Sequence, residues 1–133
     1  MPTRLHQMLI GLITRRMNEK GFYIVACDGN DYYCNGENIR LPPAIIRHRP
    51  DILGYNFKTK TVCIGEAKTH DDLKSKRTRE QLLDFSNIIS RSSLPTELII
   101  GIPKDSENDL FKLLQELKLL NHKNISYVWM PEE

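Results

Sequence analysis

Apolar residues recur at helical spacing along the first twenty positions. Leu5, Met8, Leu9, Leu12, Ile13 and Met17 share one face, while Arg4, Gln7, Thr14, Arg15 and Asn18 lie elsewhere on the wheel. Residues 4 to about 20 therefore read as an amphipathic helix. Gly21 follows at the position where a left-handed residue closes a helix. Residues 22–26 read as a strand. The pattern then breaks: Asp28-Gly29-Asn30-Asp31 and Asn35-Gly36-Glu37-Asn38 are turn chemistry, with Tyr32-Tyr33-Cys34 as a short strand between them. Pro42-Pro43 rule out a central strand there, since two prolines remove ladder donors. Residues 52–57 and 61–68 form a hairpin through the turn at 56–60. The near-continuous apolar run Val62-Cys63-Ile64-Gly65 is that of a strand covered on both faces. A second helix spans 71 to about 90, with Leu82, Phe85, Ile88 and Ile89 as its apolar stripe. Residues 98–102 are the strongest strand signal. A third helix starts near Ser106 and turns Leu110, Leu113, Leu114 and Leu117 inward. Residues 125–130 are a last strand, whose Trp129 reads as core.

The order α-β-(irregular)-β-β-α-β-α-β implies parallel pairing for the later strands and an antiparallel hairpin before them. The expected fold class is α/β: a mixed central sheet flanked by helices on both faces. No linker, repeat or low-complexity stretch divides the chain, so residues 1–133 read as a single domain, and 133 residues suffice to bury a core.

Charge changes the picture only locally. A formal net charge of +2 does not by itself advertise nucleic acid. Basic residues nevertheless cluster, with Arg40, Arg47, His48 and Arg49 in one group and Lys68, Lys74, Lys76, Arg77 and Arg79 in another. The three cysteines, Cys27, Cys34 and Cys63, are odd in number and lack paired spacing, which argues against a disulfide framework. Arg15 and Arg16 interrupt the first apolar positions, so no signal peptide is read there. No run approaches the length of a membrane span. These features point to a cytoplasmic-type location without membrane contact.

The chemistry lies in the hairpin. Its strands carry Asp51, Glu66 and Lys68, and a buried strand has no packing reason to end in Glu-Ala-Lys. Alternation puts Glu66 and Lys68 on one face and Ala67 on the other. Antiparallel pairing through the short turn brings Asp51 back beside Glu66. Two carboxylates and an amine then meet at one end of the sheet, with basic groups on both sides of them.

Pro50-Asp51 and Glu66-Ala67-Lys68, one hairpin apart, resemble the motif of the PD-(D/E)XK nuclease superfamily, the restriction-endonuclease-like fold. The resemblance extends to the order of elements along nearly the whole chain. It implies a metal-dependent nuclease hydrolysing phosphodiester bonds in DNA, with RNA as the other substrate class. An endonuclease is expected, of a structure-selective, junction-resolving type, because so small a catalytic domain has little separate recognition surface. Asp51, Glu66 and the backbone carbonyl of Ala67 would ligate Mg²⁺, with Mn²⁺ as a substitute. Lys68 would orient the attacking water and stabilise charge rather than act as a general base, because neighbouring carboxylates favour the charged ammonium.

The same resemblance implies two further site residues. Members often place an acid from the first helix at the metal site, and Glu19 is the acid this helix offers; otherwise it is a solvated acid at a helix end. Some members carry a glutamine on the helix after the motif, here Gln81. Its competing reading is a capping box, Thr78-Arg79-Glu80-Gln81. Arg47, Arg49, Lys74, Lys76, Arg77 and Arg79 are the candidate DNA contacts. Fold-level analogy suggests a homodimer that would present one site to each strand. The alternative is a nucleic-acid-binding or regulatory module of the same fold without turnover. The histidines show no ligand or catalytic spacing; His70 is the one considered for a phosphate contact.

Overall fold

A computed structural model describes residues 4–28, 49–91 and 95–130. The turns and short strand expected between 29 and 48, together with Arg47 and Cys34, lie outside the described residues. The elements in order are α1 (Arg4–Glu19), β1 (Tyr23–Cys27), β2 (Ile52–Asn56), β3 (Thr61–Ala67), α2 (Lys76–Arg91), β4 (Thr96–Pro103), α3 (Glu107–Glu116) and β5 (Ile125–Met130). Short 3₁₀ turns at Asp72–Lys74 and Lys104–Ser106 lead into α2 and α3. The strands form one sheet in the order β1-β2-β3-β4-β5. The β1–β2 and β2–β3 pairs are antiparallel, and the β3–β4 and β4–β5 pairs are parallel. This is the expected α/β arrangement, a mixed sheet with helices on both faces.

Alternation explains the two cores. On one face, Leu9, Ile10, Ile13 and Met17 of α1 pack with Ile52, Cys63, Ala67, Ile99 and Val128. On the other, Leu82 and Phe85 of α2 and Leu110, Leu113 and Leu114 of α3 pack with Ile64, Leu98, Ile100 and Ile102. Each large apolar side chain fully buried in this way contributes roughly 1.5–3 kcal/mol. The helix α1 comes very close to β3. A Cβ at Gly65 would stand 2.8 Å from both Ile13 and Met17, so only glycine lets this helix sit where it does.

Gly21 ends α1 as expected. Its φ is +91°, its N–H donates to the Asn18 carbonyl at 3.1 Å, and the Phe22 N–H donates to the Met17 carbonyl at 2.9 Å. These are the paired bonds of a Schellman closure, with the accompanying apolar contact made by Phe22 and Met17. The inward stripe of α1 is rotated from the expected one. Leu5 is exposed while Ile10 and Thr14 are buried, because the helix meets the sheet along Leu9, Ile10, Ile13 and Met17.

Three other expectations are corrected. Trp129 is 44% exposed rather than core, since β5 has no strand beyond it among the described residues. The second helix begins at Lys76 rather than 71, after the 3₁₀ turn. Its N-terminal cap is Ser75, whose Oγ accepts the Thr78 N–H at 3.1 Å, which displaces the expected capping box of Thr78 and Gln81. Cysteine pairing also departs from expectation. Cys27 is disulfide-bonded, whereas Cys63 is a free buried thiol whose pKa burial pushes up to about 12. Among the described residues, no helix is long and apolar enough to cross a membrane.

Candidate active site

The hairpin register builds the site. Ile52 lies opposite Gly65, and Asn56 opposite Thr61, across the turn. One residue beyond the first pair, Asp51 meets Glu66. The backbone of Asp51 is held by β1, whose neighbour Asp28 donates its N–H to the Asp51 carbonyl at 2.7 Å. The Asp51 side chain is held by β3, where Oδ2 accepts the Ala67 N–H at 2.9 Å. Beyond β3 the pairing continues: the Lys68 N–H donates to the Gly101 carbonyl of β4 at 2.9 Å. The chain then turns sharply, because Asp72 Oδ2 accepts both the N–H and the hydroxyl of Thr69 at 2.9 Å. Sheet and turn together fix Asp51, Glu66 and Lys68 at one strand end.

Glu66 and Lys68 are withdrawn from water, and the Asp51 side chain is 15% exposed. Glu66 is 1% exposed and Lys68 7%. Glu66 Oε1 has no hydrogen-bond partner among the described residues. Burial, and then the adjacent charge of Asp51, raise the Glu66 carboxyl well above its ordinary value, against the opposing pull of Lys68. Burial likewise pushes Asp51 up, but hydrogen bonds from His6, Glu66 and the Ala67 amide outweigh it and hold Asp51 below its ordinary value. The two carboxyls are thus pushed apart: Asp51 holds a proton less tightly than usual and Glu66 more tightly.

Lys68 Nζ donates to Gln81 Oε1, and Gln81 is itself 4% exposed on α2. The helix after the motif thus aims its glutamine at the lysine, as the first of its two expected readings has it. The cap at Ser75 leaves Gln81 free to do so.

Glu19 is not brought to the site. The end of α1 near the carboxylates is its first turn, where His6 Nε2 stands 3.4 Å from Asp51 Oδ2. Glu19 is thirteen residues further along α1, about 20 Å at 1.5 Å per residue. It is exposed and lines a surface groove with Arg15, Arg16 and Trp129. The residue that α1 contributes is therefore His6, which sequence spacing passed over. The available signal was that His6, Ile10, Ile13 and Met17 follow one another at intervals of four, three and four, a single helical face. The hydrogen bond to Asp51 raises His6 above its ordinary 6.5, against burial, and the nearby charge of Asp72 adds to it.

Of the candidate DNA contacts, Arg49, Lys74, Lys76 and Arg77 are exposed. Arg79 pairs with Glu116 of α3, so its charge is partly spent within the fold. His70 is likewise paired, with Asp109 at 3.1 Å.

Among the described residues, no group of three or more His, Cys, Asp and Glu is placed to hold a metal ion. Mg²⁺, however, characteristically uses one or two carboxylates and keeps several waters. Two neighbouring carboxyl groups, with Glu66 Oε1 left unpartnered among the described residues, meet that description. The donors are oxygens, as a hard cation requires.

Fold and site define a class of architecture: an α/β chain whose mixed five-stranded sheet ends in a buried carboxyl pair, with a glutamine-held lysine beside it. No protein-family model, curated protein or solved structure matches the chain.

Proposed function

We propose that this chain is a Mg²⁺-dependent nuclease of the PD-(D/E)XK type, hydrolysing phosphodiester bonds in DNA. The observation that carries the reading is the buried Asp51–Glu66 pair with Lys68 beside it at one strand end. Such an arrangement costs folding energy, because each buried charge loses its hydration. A cation and an anionic substrate would recover that cost.

Asp51 and Glu66 would hold the ion through carboxylate oxygens, with the Ala67 carbonyl as the third protein ligand. When bound, Mg²⁺ supplies Lewis-acid polarisation of the phosphoryl group. To hold the ion Glu66 would have to be ionised, its proton released to solvent. His6 and the Ala67 amide hold the Asp51 carboxylate in place. The Lys68 ammonium, aimed by Gln81, orients the attacking water and offsets the negative charge that grows on the phosphoryl oxygens. Arg49, Lys74, Lys76 and Arg77 would meet flanking phosphates. Cleavage inside a strand at branched or otherwise structured sites is the proposed mode. Mn²⁺ would substitute for Mg²⁺, and a homodimer would offer one site to each strand.

The test is a cleavage panel of linear, nicked, single-stranded and four-way DNA with matched RNA, in Mg²⁺, in Mn²⁺ and in chelator. Cleavage of DNA in either metal, lost in chelator and in Asp51→Asn, is expected. Equal cleavage in chelator would remove the mechanism. Metal-independent binding without cleavage would favour the binding-module alternative instead.

A further inference from the structure

The far end of the β2–β3 hairpin carries side chains that the carboxyl site does not use. Tyr23 on β1 and Phe57 at the start of the turn are each 65% exposed. Rings of this size ordinarily bury most of their surface. Here they pack on one another. The Tyr23 and Phe57 centroids are 5.5 Å apart with planes at 64°, and those of Tyr55 and Phe57 are 4.9 Å apart at 84°. Beside them lies a groove of about 750 Å³, walled by Asn18, Phe22, Tyr23, Asn56, Phe57 and Lys58.

The turn that presents Phe57 is pinned. Asn56 Oδ1 accepts the N–H groups of Lys58 and Thr59 at 2.9 and 3.1 Å. Lys58 and Lys60 stand exposed on it, and Lys20 lies at the nearby end of α1, paired with Glu97 at 2.6 Å. Exposed rings interleaved with lysines and side-chain amides suit an unpaired nucleic-acid strand, whose bases stack while its phosphates meet the amines. A purely apolar protein partner has no use for the lysines. A second copy docked here about a two-fold axis would set Lys58 and Lys60 close to their own counterparts.

We propose that Tyr23, Tyr55 and Phe57, with Lys58 and Lys60, form a stacking platform for the unpaired bases of a nucleic-acid strand. Its link to cleavage rests on the nuclease reading. The strand β2 separates the platform from Asp51 by about 17 Å at 3.4 Å per residue. A base on the platform therefore lies a few nucleotides of unpaired strand from a phosphate at the carboxyl pair. The platform would direct the enzyme to flaps, gaps and frayed branches.

The experiment measures fluorescence anisotropy of a labelled oligothymidylate of about twelve nucleotides, a length within single-strand site sizes. The full chain is used in chelator, so binding is read without turnover. Phe57→Ala is expected to weaken binding roughly tenfold, and Tyr23→Ala by a similar factor, as lost stacking does. Phe57→Trp should restore it, and Lys58→Glu with Lys60→Glu should flatten its salt dependence. Circular dichroism melts establish that each variant is folded. Unchanged oligonucleotide affinity in the folded Tyr23→Ala, Phe57→Ala double variant would overturn the proposal. So would a change in sedimentation coefficient with binding unaltered, which would make the patch a contact between copies. The two readings separate cleanly. If the wild type cleaves nothing while Phe57→Ala still loses binding, the platform stands and the nuclease falls. If cleavage is normal and binding is untouched, the platform alone falls.

Discussion

The two ends of the β2–β3 hairpin break the usual partition of residues in opposite directions. At one end Glu66 and Lys68, beside Asp51, take ionisable groups out of water; at the other Tyr23 and Phe57 leave apolar rings in it. Neither serves stability well. A buried carboxyl beside a second carboxyl loses hydration that its neighbours only partly replace, and exposed rings forgo most of the free energy that their burial would release. The hairpin between them is regular, with its five described pairs in register. The contrast teaches where to look for function: at the places where a well-formed scaffold holds side chains against their solvation preference.

The comparison predicts that the buried end is sensitive and the exposed end tolerant. The largest expected effect is on turnover. Glu66→Gln or Asp51→Asn should lower cleavage by at least about 10²–10³-fold, the scale of losing a main electrostatic group in an active site. Lys68→Met should lower kcat while the Kd for DNA changes little; a change in Kd alone would remove Lys68 from the reaction. Gln81→Ala leaves the ammonium unaimed and should cost up to about 10²-fold in kcat, since small misplacements act on that scale. Single-turnover kinetics with separately measured affinities would decide both.

A smaller effect falls on stability. Gly65→Val would drive a side chain into Ile13 and Met17 and should cost about 1–3 kcal/mol, read from the urea midpoint.

Stability should also depend on pH, with signs set by three groups. Glu66 is raised above 4.5 and His6 above 6.5, so each adds stability that is complete below those values and is lost as pH rises through the higher folded value. Asp51 is lowered below 3.8, so its contribution is present above 3.8 and is lost as pH falls through the lower folded value. In chelator, the melting temperature should therefore fall as pH climbs above 4.5. Glu66→Gln should flatten that decline, and His6→Gln should flatten its part above 6.5. Adding Mg²⁺ should raise the melting temperature more at high pH, because the ion and the Glu66 proton compete. A Glu66→Gln variant with an unaltered pH profile would contradict the raised pKa of Glu66.

The smallest effect belongs to the exposed end. Phe57→Ala should shift folding stability by no more than about 0.5 kcal/mol, as exposed substitutions commonly do. A loss well beyond that would mean the rings are structural, and the contrast between the two ends would weaken.

What the chain determined by itself was local and periodic. Alternation placed Glu66 and Lys68 on one face. A short turn limited the hairpin to a register that returns Asp51 beside Glu66. Gly21 closed α1, and apolar spacing marked the remaining helices and strands. Tertiary packing decided the rest. The phase of α1 against the sheet depends on Gly65 admitting Ile13 and Met17, and that rotation turns His6 to Asp51 while Glu19 stays outside. The partner of Gln81 depends on α2 lying over the end of β3, with Ser75 taking the cap. Trp129 is exposed because of its place at the margin of the sheet, and no residue near it in sequence records that. Period and turn chemistry act over a few residues and can be read directly. Contacts between distant segments reflect competition among many packings, which neighbouring residues alone do not encode.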